Sequence, residues 1–325
     1  MDVVTFGESM VLFQPLGDAP FGHAPLFVRS VAGAESNLCI ALSRLGLSTR
    51  WVSRLGTDPF GDLIESTLRG EGVQVVAARD SSAPSAVFFR EFGRGEPRAH
   101  YYRSGSAFSR ISLEDYRSDW LEGARHLHVG GIAPALGTGP LEVQRALMLE
   151  ARERGMTISF DPNLRRKLWS EARAREVLLE LLPLCDVFLP SHEEIDFLFD
   201  EEKVTVGESF KAVSEQGVTL LVLKRGSSAA FACTHSRTLE VPTFAVERII
   251  DPIGAGDAFA AGFLSRWLEE SKPLETGLSE EVLLEALTRG CALGALATQF
   301  RGDWEGLPRR GELEDFLTGR ETVRR

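Results

Sequence analysis

Cysteine is scarce in this 325-residue chain, and its four copies (Cys39, Cys185, Cys233, Cys291) are far apart in apolar stretches. No Cys-x-x-Cys or Cys/His ligand spacing occurs, which excludes a zinc site of the usual spacing and a disulfide framework; buried free thiols in a reducing compartment are expected. There is no basic patch with interleaved aromatics, and the formal net charge is −11, so nucleic acid is an unfavourable partner. No run approaches the roughly 18 apolar residues of a membrane span. The start, Met1-Asp2-Val3-Val4-Thr5-Phe6-Gly7, has no basic n-region and no long apolar h-region. It reads as a core strand instead of a signal peptide, so a cytoplasmic protein is expected. Nor is there a Gly-Lys-Ser or Gly-Lys-Thr anywhere, which excludes the P-loop.

What is present is an alternation of short apolar runs with amphipathic segments. Strands are expected at Val3–Gly7, Arg50–Leu55, Arg125–Val129, Thr157–Phe160, Asp186–Leu189 and Thr219–Leu223. Helices are expected at Glu35–Leu45, Pro59–Arg69, Leu141–Glu153, Glu171–Leu182 and Ser209–Glu215. Asp58 before Pro59 is an N-cap and N1 pair, and Gly46, Gly72 and Gly155 stand where helices should end. Such alternation with short connections predicts an α/β fold, a doubly wound and mainly parallel sheet with helices on both faces.

Two stretches break the pattern. Residues 10–32 and 84–104 are extended, rich in aromatic and β-branched side chains, and show no helical period. Ala86–Phe92 and Arg98–Arg103 read as a hairpin about Gly93-Arg94-Gly95-Glu96-Pro97. They are assigned to a small separate sheet, a flap over the carboxyl ends of the core strands, where open α/β sheets bind ligands. One domain over residues 1–325 is expected, with the lid strands as insertions.

The most informative segment runs from Val246 to Gly262, with Asp251-Pro252-Ile253-Gly254-Ala255-Gly256-Asp257 at its centre. A loop of small residues leads into a long apolar helix. Free N–H groups and the positive dipole end suit that junction to anions. The dinucleotide fingerprint would need glycine at Phe259, so it fails too. Asp257 is placed at the start of the helix, as a cap or as a base. A capping aspartate has a depressed pKa, but phosphoryl transfer has a loose transition state in which the base mainly orients the hydroxyl.

Gly254-Ala255-Gly256-Asp257 after Asp-Pro-Ile resembles the C-terminal signature of the ribokinase-like (PfkB) carbohydrate kinases. The stretch Ala32-Gly33-Ala34-Glu35-Ser36-Asn37, continuing to Gly46, resembles their N-terminal signature, and Leu55-Gly56-Thr57-Asp58-Pro59-Phe60-Gly61 follows in order. Lys224-Arg225-Gly226 and Gly302-Asp303 also fall in sequence. Within the family the chain most resembles the 2-keto-3-deoxygluconate kinases. The resemblance implies that Gly33, Ala34 and Asn37 hold sugar hydroxyls. It implies that Tyr101 and Arg103 on the second flap strand meet the substrate, that Arg165 pairs with its carboxylate, and that Asp303 is a late substrate contact. Asp257 would be the base, and the amides of Gly254, Ala255 and Gly256 would receive the phosphates. Asn163, Ser191, Lys224 and Gly226 would line the ATP site, adenosine lying near Lys224–Ser227 and the helix Glu281–Gln299. Glu194 would act on Mg²⁺ through water, which fits the reluctance of Mg²⁺ to dehydrate.

Two positions depart from the subgroup. Phe88 stands where a Tyr is usual, which removes one hydroxyl contact worth about 0.5–1.5 kcal/mol. Ser191 replaces the Asn of an Asn-x-x-Glu motif, and capping the helix His192–Phe199 is an equally good role for it. His126 and His128 share one strand face, but without a third ligand they are expected to pack and hydrogen-bond. The expected activity is ATP- and Mg²⁺-dependent phosphorylation of the terminal 6-hydroxyl of 2-keto-3-deoxygluconate. A monovalent cation is a further candidate cofactor. A fructokinase, ribokinase or nucleoside kinase is the alternative within the family, and a non-catalytic sensor of sugar acid or nucleotide the alternative outside it. Homo-oligomers through the exposed lid strands are expected, because pairing hides sheet edges.

Overall fold

Two sheets account for the alternation and for its interruptions in the computed structural model, which describes residues 1–17, 21–91, 98–199 and 205–319. The larger sheet contains seven mutually parallel strands. These are β1 (Val3–Phe6), β4 (Thr49–Gly56), β5 (Gln74–Asp80), β8 (His126–Gly130), β9 (Thr157–Asp161), β10 (Val187–Phe188) and β11 (Leu220–Arg225). An antiparallel hairpin, β12 (Ala229–Thr234) and β13 (Arg237–Pro242), extends one side. The spatial order is β13-β12-β11-β10-β9-β8-β1-β4-β5.

Successive residues of a strand face opposite sides of the sheet, and each side here has its own helical layer. Val4 and Phe6 pack with Leu147 and Met148 of α4 (Thr138–Glu153) and Val177 and Leu181 of α5 (Glu171–Leu181). Val3 packs on the other side with Leu38 of α1 (Ala34–Arg44), Phe263 of α8 (Ala255–Trp267) and Leu287 of α9 (Glu280–Ala297). Burial on both faces explains why these strands read as continuous apolar runs. Each such side chain contributes about 1.5–3 kcal/mol of transfer free energy. Of the other helices, α2 (Pro59–Gly70) covers the β4–β5 side, while α3 (Ile132–Ala135), α6 (His192–Phe199) and α7 (Val206–Ser214) fill connections. The last, α10 (Arg310–Thr318), lies against the α1 side through Leu313.

The smaller sheet contains β2 (Met10–Pro15), β3 (Phe27–Ala32), β6 (Val87–Glu91) and β7 (Arg98–Tyr102) in the order β3-β2-β6-β7. It lies where the helical period fails, as expected, with a short 3₁₀ turn at Phe21–His23. The hairpin turn expected at Gly93–Pro97 lies outside the described residues. One lid face carries Leu12, Ala32 and Phe88, and the other packs Val11 and Val31 toward Ile64 and Leu68 of α2.

The Asp58 cap is present: its carboxylate accepts from the amides of Phe60 and Gly61 at 3.0 and 2.8 Å. Three strands had not been expected. Of these, β5 and β13 lie at sheet edges and mix exposed with covered residues, a weaker signal than a buried run. The helix expected from Ser209 begins at Val206, because Thr205 and Glu208 close a reciprocal capping box. All four cysteines are buried free thiols. Among the described residues no helix is long and apolar enough to cross a membrane.

Candidate active site

The carboxyl ends of β1, β8, β9 and β11 meet the N-termini of α1 and α8 beneath the lid. Gly254 caps α8 in the left-handed region at φ 84°, and a Cβ there would overlap the backbone oxygen of Asp303. Glycine is therefore required twice over, by conformation and by space. The first amides of α8 have no acceptor within their own helix, so Gly254, Ala255 and Gly256 stand at its positive end, the Ala255 amide in a long 3.4 Å contact with the Pro252 carbonyl. Asp251 braces the turn from behind, accepting from the amides of Ile253 at 3.1 Å and Gly302 at 3.2 Å.

Asp257 does not cap the helix as one reading of the sequence had it. It is the third residue of α8, half-buried, and accepts from the Asn37 amide at 2.8 Å. Nor is its carboxyl depressed. Burial raises its pKa to about 6, against the Asn37 hydrogen bond, while Asp161 and Asp303 add to the rise and Arg165 opposes it. The local sequence suggests a cap, but the lost water and neighbouring carboxylates outweigh the helix end. Asn37 Oδ1 also lies 3.4 Å from the Gly33 amide, joining the two signatures across the site. A side chain at Gly33 would overlap the Glu8 carbonyl.

Glu35, in the same turn of α1, had been assigned nothing. It is 1% exposed, one carboxyl oxygen has no hydrogen-bond partner, and its head fills space that side chains at Gly7 and Gly130 would occupy. Burial raises its pKa to about 8, with Asp257 and Asp161 adding to the rise. It is an uncharged acid at neutral pH.

The lid brings in four residues. Tyr101 stacks on Phe88 with centroids 5.2 Å apart, and half its surface remains open. Arg103, expected to meet the substrate, is held by Glu8: Nε donates at 2.8 Å and Nη2 lies 2.6 Å from the same carboxylate. Ser106 also donates to Glu8. Asp303 is likewise engaged, by Arg90 Nη2 at 2.6 Å, and Arg90 Nη1 reaches Asp251 at 2.9 Å. Neither Glu8 nor Arg90 had been assigned a role. Arg165 is exposed and close enough to Asp257 to lower its pKa.

A third cluster follows β9 and β11. Lys224 Nζ pairs with Asp161 at 2.6 Å, and Asp161 accepts from the Asn163 amide at 3.1 Å, in a turn where Asn163 has φ 38°. Glu194 accepts from the amides of Leu164 at 2.6 Å and Ser191 at 2.7 Å, while Ser191 Oγ accepts from the Glu194 amide at 3.3 Å. Ser191 and Glu194 thus cap α6 reciprocally, the role anticipated as the alternative for Ser191. Burial and Asp161 raise the Glu194 pKa. Among the described residues no cluster of three or more His, Cys, Asp or Glu could enclose a metal. Gly226 turns the chain between β11 and β12 at an exposed position. His126 and His128 are packed and bonded as expected, sharing Ser159 at 2.7 and 2.8 Å.

An amide-lined helix end with a poised carboxylate beside it, at the mouth of a doubly wound sheet, belongs to a phosphotransferase acting on an alcohol. The chain is a member of the pfkB family of carbohydrate kinases, whose profile matches residues 1–310. It is 35% identical to 2-dehydro-3-deoxygluconokinase of Bacillus subtilis, over 99% of this chain and 97% of that protein. It is 31% identical to probable fructokinase-4 of Arabidopsis thaliana, over 98% of this chain and 97% of that one. A fructokinase of Xylella fastidiosa solved with bound ATP superposes with a TM-score of 0.87 at 26% identity, covering 98% of each chain.

Proposed function

We propose that this kinase phosphorylates the terminal 6-hydroxyl of 2-keto-3-deoxygluconate with Mg·ATP, yielding 2-keto-3-deoxy-6-phosphogluconate, in the cytoplasm. The observation carrying the chemistry is the half-buried Asp257, with pKa raised to about 6, at the amide-lined start of α8. A base of that strength is ionised at neutral pH yet able to hold a proton, the compromise general-base catalysis requires. Asp257 orients the hydroxyl and accepts its proton late, and the amides of Gly254, Ala255 and Gly256 hold the transferred phosphate. Lys224, Gly226, Asn163 and Ser191 line the nucleotide side.

Mg²⁺ fits the third cluster: burial and the neighbouring Asp161 make Glu194 harder to ionise, against Lys224 and the amides of Ser191 and Leu164, so a cation there would relieve the charge. Glu194 would hold the ion through water, and the ion would neutralise phosphate charge. On the sugar side, Gly33, Ala34 and Asn37 face the hydroxyls, Tyr101 covers the ring, and Asp303 supports the far wall. Because Glu8 already neutralises Arg103, the substrate carboxylate falls mainly to Arg165, the exposed cation beside Asp257.

The Bacillus relative's name supports the sugar-acid reading, and the plant relative's name supports a fructokinase. A turnover panel of ketodeoxy acids, hexoses and pentoses decides between them. Activity on the ketodeoxy acid alone is expected; activity confined to fructose would overturn the substrate assignment. We also assign residues 1–325 to one kinase unit, which pairs with a second copy through edge strands β3 and β7, where Phe27, Val28 and Tyr102 lie open. Sedimentation analysis showing only monomer would remove that part.

A further inference from the structure

The family reaction requires a sugar and a nucleotide phosphate to meet at the start of α8, yet the residue that ties the lid to that loop belongs to neither signature. Arg90 lies on β6, two positions beyond Phe88 and on the same lid face. It is 2% exposed, and its two terminal nitrogens diverge onto two different segments. One donates to Asp251 at 2.9 Å, the other to Asp303 at 2.6 Å. Asp251 is the carboxylate whose oxygens accept the Ile253 and Gly302 amides, so it shapes the turn from inside. Asp303 supplies the backbone oxygen against which Gly254 is closely set. Arg90 thus grips both walls of the loop.

The charges lead to the same place. Asp251 and Asp303 are both buried beside the site meant for a polyanion. The Arg90 guanidinium stands between them and pairs with both. Without it, two uncompensated carboxylates would face the incoming phosphates in a poorly screened setting. Lysine could restore the charge but not a planar fork reaching two segments.

We propose that Arg90 is a positioning residue for phosphoryl transfer, a strut from the lid that holds Asp251 and Asp303, and with them the Gly254–Asp257 loop, ready for the β- and γ-phosphates of the nucleotide. This rests on the kinase reading but not on the identity of the sugar.

The test compares wild type, Arg90→Lys and Arg90→Met in calorimetric binding of Mg·ATP and of AMP, which lacks the outer phosphates. In Arg90→Met, Mg·ATP should bind at least about 10-fold more weakly while AMP stays within about 2-fold, as loss of one charge-assisted interaction implies. Turnover should fall by about 100-fold, beyond the loss in nucleotide affinity, which marks stabilisation lost in the transition state as well as in the ground state. The acid limb of kcat should also move upward, since Asp303 would lose its counter-charge near Asp257. Arg90→Lys should fall between, and it carries the test if the methionine variant does not fold. The proposal is overturned if either folded variant keeps the wild-type ratio of ATP to AMP affinity. It is equally overturned if ATP and AMP weaken together with an unmoved pH profile, since that marks a merely structural residue. Should wild type act on fructose instead, the same comparison runs with fructose and only the substrate assignment is lost. Wild type that binds no nucleotide would end both the kinase reading and this proposal.

Discussion

The two sheets are held by different physics. In the large sheet, the strands around β1 are buried on both faces by aliphatic and aromatic side chains, and His126, Ser159 and His128 within it satisfy one another. The lid buries far less, and its inward-pointing cations reach out of the sheet: Arg90 to Asp251 and Asp303, and Arg103 to Glu8. Apolar burial is non-directional and suits a scaffold, whereas paired charges fix orientation and leave a surface that can receive a polar ligand. Damage to the first should therefore appear as lost stability, and damage at the interface between the sheets as lost activity.

The strongest way to break that contrast is at Asp257. Asp257→Asn should keep or raise the unfolding midpoint, since the ionised carboxyl costs stability above its raised pKa, and lose about 10²–10⁴ in kcat, the usual share of a general base, as read by coupled assay. In wild type, activity should fall as pH drops through about 6, where Asp257 takes up its proton; a pH profile flat to well below that value would remove Asp257 as the base. On the scaffold side, Phe160→Ala should cost about 3–5 kcal/mol of unfolding free energy while the remaining folded fraction keeps its KM, measured by urea titration and kinetics. Arg165→Ala should raise KM for the ketodeoxy acid by about 10–100-fold, the worth of a charge-assisted bond, with no matching loss of thermal stability.

Two buried titrating groups sharpen the comparison within the scaffold. Burial lowers the His128 pKa to about 4, against the pull of Asp161, so its contribution to stability is present above the ordinary histidine value of 6.5 and lost as pH falls toward 4. Glu35 runs the other way: with its pKa raised to about 8, its contribution is full below the ordinary value of 4.5 and lost as pH rises through 8. Glu35→Gln should remove the alkaline decline in urea midpoint and leave the acid one. An unchanged alkaline decline would show that Glu35 is not the group responsible. The smallest effect is at Phe88: Phe88→Tyr, which adds the hydroxyl usual in the ketodeoxygluconate subgroup, should lower the sugar-acid KM only a few-fold, about 0.5–1.5 kcal/mol.

Much of this was legible in the chain because it is written locally. The Gly254–Asp257 turn and the Gly33–Asn37 stretch are runs of small and polar residues in which steric need follows directly from composition, and the buried strands announce themselves as apolar runs. Arg90 was not legible. An arginine among phenylalanines reads as one more solvated charge on a lid strand, and its partners lie 161 and 213 residues away. Glu8 hid in the same way, 95 residues from Arg103. The neutral state of Glu35 depends on Gly7 and Gly130 leaving it room, and that is a property of three segments together. The Asp257 pKa was misjudged for the same reason: local sequence shows a helix start but not the surrounding carboxylates.

The stacked pair Phe88 and Tyr101 has an optical consequence. The chain has only three tyrosines. Two of them, Tyr101 and Tyr102, stand on β7 and are 46% and 66% exposed. The third, Tyr116, has its hydroxyl bound to Glu150. Tyrosine-selective labelling therefore reports chiefly on the lid, so the environment of that sheet can be followed in the unmodified protein without installing a probe.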